Sequence, residues 1–195
     1  MSRTLSACAL LIVALVAGSG CTPVVVGGAA TGAAVVHDRR TAGTVLEDQS
    51  IELKALTRLR EDPEIREQAH INVTSYNLIV LLTGETPTEA MRQRAAEIVR
   101  GIERVRQVHN ELRVAAPSSM MSRSSDTLIT AKVKTALFGI KGIEDFDPTR
   151  VKVVTENGTV YLMGLVRRME ADAAAEAART VSGVQRVVKL FEYLD

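Results

Sequence analysis

Apolar and polar side chains alternate through residues 71–84, INVTSYNLIVLLTG, and again through residues 151–164, VKVVTENGTVYLMG. An offset of 80 positions lays Ile71 on Val151, Val73 on Val153, Asn77 on Asn157, Val80 on Val160, Leu82 on Leu162 and Gly84 on Gly164. Apolar residues at every second position, broken by a polar turn, predict a β-hairpin in each copy. The second turn is Asn157-Gly158, the pair best able to take the positive φ of a two-residue loop. In the first, Leu78 stands where Gly would suit, which predicts a longer or different loop. A repeat of this length divides the chain into two small domains of one kind.

The flanking patterns repeat as well. Between Glu47 and Arg60 apolar residues recur at Ile51, Ala55 and Leu59, a helical stripe, with Leu53 and Leu56 on another side. Thr86-Pro87-Thr88-Glu89 reads as the start of a second helix, with Thr86 as its cap, whose stripe is Met91, Ala95, Ile98 and Val99 and which Gly101 ends. Ile102 to Leu112 supplies a third strand. AAPSSMMSRSS, residues 115–125, reads as a linker. The pattern then restarts: a helix at 126–138 carries Ile129, Val133 and Leu137 and is capped by Asp126 or Ser125. After the second hairpin an Ala-rich helix runs from about Arg168 to Val181, Gly183 stops it, and VQRVVKLFEYL makes the last strand. Each domain, 44–114 and 126–195, reads helix, strand, strand, helix, strand. A hairpin with a helical crossover gives a small three-stranded mixed sheet with two helices on one face, an α+β fold.

The N-terminus sets the compartment. Arg3 precedes an apolar run from Leu5 to Val16, then Ala17-Gly18-Ser19-Gly20 and Cys21. Twelve residues of helix reach about 18 Å, short of a bilayer's ~30 Å core, and the layout is that of a secretory signal over residues 1–20. Small residues directly before Cys21 resemble the lipobox of bacterial lipoproteins, although Gly18 stands where Leu is usual. The resemblance implies that Cys21 is lipidated and begins the mature chain; Thr22 rather than Asp after it implies transport to the outer membrane. Cys8 lies in the signal, so the mature chain has one cysteine and no internal disulfide. Residues 21–43, rich in Gly and Ala, read as the lipidated Cys and a flexible tether.

Composition changes the picture little: 46% of the 195 residues are hydrophobic, 24% are charged, and there is no Trp. The core must be built from Val, Leu, Ile and Ala. Loss of the signal removes one basic residue, Arg3, from 24 and leaves 23 against 23 acidic. Zero net charge argues against nucleic acid as a partner.

The element order, the Asn-containing turns with Gly84 and Gly164 beyond them, and the Gly101-Ile102 and Gly183-Val184 pairs together resemble tandem BON domains. With the lipobox, nearly the whole mature chain is similar to two-BON lipoproteins of the Gram-negative outer membrane. That resemblance implies phospholipid binding, with the second domain as the membrane-binding one, localisation to the division site and a role in envelope integrity under stress.

No catalytic or cofactor pattern is present. His37, His70 and His109 are scattered, with no H-E-x-x-H and no paired cysteines, so no metal site is expected. No G-x-S-x-G elbow or phosphate loop occurs. Asp145 and Asp147, beside Pro148, suit turn contacts better than acid–base work.

The informative contrast lies between the two opening helices. In the second, Leu128 and Phe138 fall outside the core-facing arc beside Lys132 and Lys134, and Lys141 follows in the loop. This suits an anionic surface such as phosphatidylglycerol or cardiolipin; equally, Leu128 and Phe138 could cover a neighbouring domain. In the first helix, Glu47, Asp48 and Glu52 would repel anionic headgroups, and Leu53 and Leu56 are expected to pack against the other domain. The expected partners are anionic phospholipid and the outer membrane through the anchor; the rival is a protein-binding adaptor for the outer-membrane assembly machinery or septal cell-wall enzymes.

Overall fold

The structure, a computed structural model, describes residues 38–118 and 120–195. The signal at 1–20, Cys21 and the tether as far as residue 37 lie outside the described residues.

The first repeat opens with α1 (Ala42–Glu61), capped by Thr41, whose side chain accepts from the Thr44 amide. A short helix, α2 (Pro63–Gln68), follows under an Asp62 cap. Then come β1 (His70–Tyr76), β2 (Ile79–Thr86), α3 (Glu89–Arg100) and a last strand in two pieces, β3 (Gln107–Asn110) and β4 (Arg113–Val114). The α3 cap is Thr88, two residues later than the sequence suggested, because its hydroxyl accepts from the Met91 amide at 3.2 Å. The second repeat has α4 (Met120–Phe138), β5 (Lys152–Glu156), β6 (Thr159–Val166), α5 (Arg168–Arg179) and β7 (Arg186–Tyr193). In each sheet the hairpin is antiparallel and the last strand joins β2 or β6 in parallel. Two α+β units of one topology result.

Residues 120–125, expected as linker, are helical, so the linker is shorter. Tertiary contacts override the serine-rich composition: Ser122 Oγ reaches Asn157 Oδ1 at 3.1 Å, and Arg123 donates to the Ser118 carbonyl at 3.0 Å. Asp126 is then a mid-helix residue rather than a cap.

What Asp126 does instead explains both hairpins. Its buried carboxylate accepts the amides of Asn157 at 2.8 Å and Gly158 at 2.9 Å, the two turn residues. In the first repeat Asp48, also buried, accepts from Asn77 and Leu78, both at 2.8 Å, and from Ser75 Oγ at 2.7 Å. Both loops have two residues, because Tyr76 pairs with Ile79 as Glu156 pairs with Thr159. The longer or different first loop expected from Leu78 does not occur. Leu78 is held at φ 66° and Asn77 at 51°, against 70° at Gly158 and 48° at Asn157. Left-handed backbone is costly for Leu; the carboxylate of Asp48 offsets that cost by pinning both amides. Gly84 sits at φ +114°, and a Cβ there would lie 2.0 Å from the His70 carbonyl oxygen, so no other residue fits.

Each sheet buries both faces. Val80 and Leu82 point to the first helical core with Ile51, Ala55, Leu59 and Val99; Val160 and Leu162 do the same over Ile129, Val133 and Leu137. The intervening residues Ile79 and Leu81 meet Tyr161 and Met163, with Tyr76, in a third core between the repeats. The sheets therefore pack back to back. Polar contacts rim the seam: Asn77 to Glu192 at 2.6 Å, Arg106 to Glu192 at 2.9 Å, Lys152 to Glu52 at 3.1 Å and Asn72 to Glu156 at 2.9 Å.

This arrangement corrects the expected docking residues. Leu53 is 68% exposed. Leu56 is half-buried and lines a hollow with Leu59, Ile65 and Ala69, all in its own repeat. The sheet faces take the interdomain role instead, through Tyr76, Ile79, Leu81, Tyr161 and Met163.

Candidate lipid-facing site

The rotation of α4 is set by Ile129, Val133 and Leu137, all buried against β5 and β6. At ~100° per residue, Leu128 and Phe138 then flank the outward pole, ~15 Å apart along the axis, with Lys132 on one margin and Lys134 on the other. The side chains follow this geometry: Leu128 is 64% and Phe138 68% exposed, and both lysines are exposed. They do not cover a neighbouring domain or loop. Lys132, Lys134 and Lys141 make no ion pair among the described residues.

Residues between the two apolar side chains complete a surface that sequence reasoning passed over. Thr127 and Thr135 donate their hydroxyls to the carbonyls four residues earlier, at 3.0 Å each. Their hydroxyl protons are thereby committed to the helix itself. With Ala131 they make the outward strip less polar than its composition suggests. The i, i+4 spacing of Thr to a backbone carbonyl was the available signal.

Beside Phe138 lies a groove of about 340 Å³ lined by Lys134, Phe138, Val151, Lys152, Tyr76 and Arg40, so residues of both repeats contribute. Arg40 is fixed there by Asp38 at 2.6 Å and Asp48 at 2.7 Å and stacks over the Tyr76 ring at 3.8 Å. Burial lowers and Asp38 raises the Arg40 pKa, with a net rise, so the guanidinium stays charged. Arg40 and Lys152 are paired, whereas Lys134 makes no ion pair among the described residues.

The acids of α1 are not free to repel a surface as expected. Asp48 is consumed by the turn, Glu52 accepts the Ser75 amide at 2.8 Å and binds Lys152, and Glu47 lies 3.7 Å from Arg104. The outward face of α1 instead shows Leu46 at 66% exposure and Leu53, seven residues apart.

Asp147 accepts from the Thr149 amide at 2.9 Å and its hydroxyl at 2.6 Å; Asp145 pairs with Arg150 and Arg39. Asp147 makes the expected turn contact, whereas Asp145 is held by ion pairs, one of them to Arg39 far away in the sequence. No cluster of three His, Cys, Asp or Glu able to hold a metal occurs among the described residues, and no helix among them is long and apolar enough to cross a membrane.

Comparison with known proteins agrees with this architecture. The BON domain model matches twice, at residues 47–116 and 125–195. The chain is 38% identical over 187 residues to outer membrane lipoprotein DolP of Haemophilus influenzae, covering 96% of this chain and 95% of that one. It is 38% identical to the 21 kDa hemolysin of Actinobacillus pleuropneumoniae, covering 80% and 79% of the two chains. It is 30% identical to osmotically-inducible protein Y of Escherichia coli, covering 74% and 72%. With two matched copies packed back to back, the chain belongs to the BON domain family.

Proposed function

We propose that this protein is an outer-membrane lipoprotein, anchored through Cys21 on the periplasmic side, whose second repeat binds anionic phospholipid through the outward face of α4. The likeness to DolP supports the outer-membrane lipoprotein assignment. The observation that carries the lipid reading is the strip from Leu128 to Phe138, apolar at its centre and flanked by the unpaired Lys132 and Lys134. Long lysine stems lie along an apolar surface while their ammonium groups reach the phosphates. Each adds roughly 1 kcal/mol near an anionic leaflet, and insertion of Leu128 and Phe138 adds to that. Phosphatidylglycerol and cardiolipin are suitable ligands. A multiply acylated Cys already holds the protein at the membrane, so this contact orients or localises it, including at the division site, in support of envelope integrity.

The test is co-sedimentation of residues 22–195 with phosphatidylglycerol-rich and phosphatidylcholine vesicles at low and moderate salt. Binding is expected only to anionic vesicles, weakening with salt, and lost in Leu128→Ala and in Lys132→Glu/Lys134→Glu. Binding that ignores lipid charge and survives both variants refutes the proposal. A second reading, a protein-binding adaptor for envelope assembly or septal enzymes, is favoured by the exposed pair Leu46 and Leu53. Pull-down lost in Leu46→Glu/Leu53→Glu, with vesicle binding unchanged, would support it.

A further inference from the structure

The described chain enters at Asp38, and its first residues are bolted to the second repeat. Arg39 Nη1 lies 2.6 Å from Glu170 Oε2 and its Nη2 2.9 Å from Oε1, a bidentate pair, and Nη1 also donates to the Leu165 carbonyl at 3.1 Å. Glu170 is buried and holds the Arg167 amide at 2.6 Å as well. Arg39 lies a further 3.5 Å from Asp145 in the loop after α4. The entry point is therefore fixed at one end of the second repeat, beside the first turn of α5.

That end carries an apolar patch the preceding site does not use. Met169 is 70% and Leu194 50% exposed, with Tyr193 partly exposed beside them. They are brought together because β6 and β7 are parallel: Val166 pairs with Tyr193, the Leu194 amide donates to the Val166 carbonyl, and α5 starts two residues beyond β6. Arg167 and Arg168 are exposed there; Arg168 stacks over Tyr193 at 4.6 Å, and Asp195 accepts the Arg168 amide. Phe138 belongs to the same end, since it lines the groove with Val151 and Lys152 at the start of β5, whose partner Met163 is close to the end of β6.

We propose that this end face, with Met169 and Leu194 as its apolar tips and Arg167 and Arg168 at its rim, is a second contact with the anionic bilayer that carries the anchor. The inference rests on the lipid-anchored reading above. Tethering raises the effective concentration most for surfaces nearest the attachment point. Arg39 makes this face that surface. The face and the Phe138 end of the α4 strip lie at the same end of the repeat, so that end tilts onto the leaflet rather than the helix lying on it alone.

The test uses the lipidated chain reconstituted in phosphatidylglycerol vesicles containing brominated lipid. Acylation leaves no free thiol at Cys21, so a single introduced cysteine at Leu128→Cys, Met169→Cys or Ser182→Cys carries the fluorophore. Ser182 is exposed beyond the opposite, C-terminal end of α5. Labels at 128 and 169 are expected to be quenched and the label at 182 not. Met169→Glu/Leu194→Glu, at exposed positions, is expected to weaken vesicle binding of residues 22–195 about tenfold while leaving the melting temperature unchanged. Quenching at 128 with none at 169 overturns the end-face contact and leaves the helix reading standing. Quenching at neither overturns both.

Discussion

Truncation of Asp126 tests the account of the hairpins. The carboxylate makes two bonds, at 2.8 and 2.9 Å, to the turn amides of Asn157 and Gly158. Hydrogen bonds to a charged group each contribute about 1.5–3 kcal/mol, which gives ~3–6 kcal/mol for the pair. The turn borders an open polar hollow lined by Ser122, Ser125 and Asn157. Water can therefore reach the freed amides, and the expected loss for Asp126→Ala falls to about 2–4 kcal/mol. In urea, with a slope near ~2 kcal/mol/M, the midpoint should fall by roughly 1–2 M without a change of slope. Asp48→Ala should lose more. Its carboxylate also serves the fully buried Ser75 and the guanidinium of Arg40, and its turn contains Leu78 where the second contains Gly158. A loss under ~1 kcal/mol for Asp126→Ala, or a smaller loss for Asp48→Ala than for Asp126→Ala, would refute the reasoning.

Glycine positions give a paired prediction: Gly84→Ala should yield little folded protein, because the Cβ meets the His70 oxygen, whereas Gly142→Ala, at φ +81° with open space around it, should cost only about 1 kcal/mol by thermal melting. The buried Glu156 has its pKa raised, chiefly by burial and further by the charge of Glu85, against the hydrogen bond from Asn72. The native state then holds that proton more tightly than the unfolded chain, so stability falls as pH rises from the ordinary carboxyl range through the raised folded value. Glu156→Gln should melt higher than the parent above that window and show no advantage below it. At Glu170 burial pushes the pKa up, but the Arg39 guanidinium and the Arg167 amide outweigh it and hold it below the ordinary value. The stabilisation is present above the unfolded carboxyl range and is lost as pH falls through the lowered folded value. Arg39→Ala should destabilise by about 3–5 kcal/mol near neutral pH, since it leaves a buried carboxylate unpaired, and by less in acid; equal losses at both would refute the pair's role.

Periodicity carried the repeat, both hairpins and the core stripes, because alternation and four-residue steps report burial directly. Ile129, Val133 and Leu137 are buried and Leu128 and Phe138 exposed, so the helical wheel of α4 was readable from sequence alone. The seam between the repeats was expected on Leu53 and Leu56 and lies on the sheet faces instead. Its signal was the unbroken apolar run Ile79-Val80-Leu81-Leu82, which marks a strand buried on both faces; alternation was read and the filled-in positions were not. Asp48 and Asp126 were hidden for a different reason. Their partners are backbone amides 29–32 residues away, and backbone donors leave no trace in residue identity. Arg39 and Arg40, in a segment read as tether, were missed because Gly and Ala dominate what precedes them, while the acids they meet lie as far off as Glu170.

Back-to-back packing limits where function can reside. One face of each sheet is covered by its own helices, and the other presents Ile79 and Leu81 or Tyr161 and Met163. A single repeat would expose that second face, and burying a large apolar side chain contributes about 1.5–3 kcal/mol. The pair therefore stabilises itself as a pair. With both sheet faces committed and both turns closed by Asp48 and Asp126, substitutions without structural cost are confined to the outer helix faces and the ends of the units. There the copies differ most: α1 shows Leu46 and Leu53 among acids already bound in place, and α4 shows Leu128 and Phe138 among free lysines. Divergence at these positions, on a frame the two copies share down to the carboxylate that holds each turn, is what specialisation of one repeat for a charged surface requires.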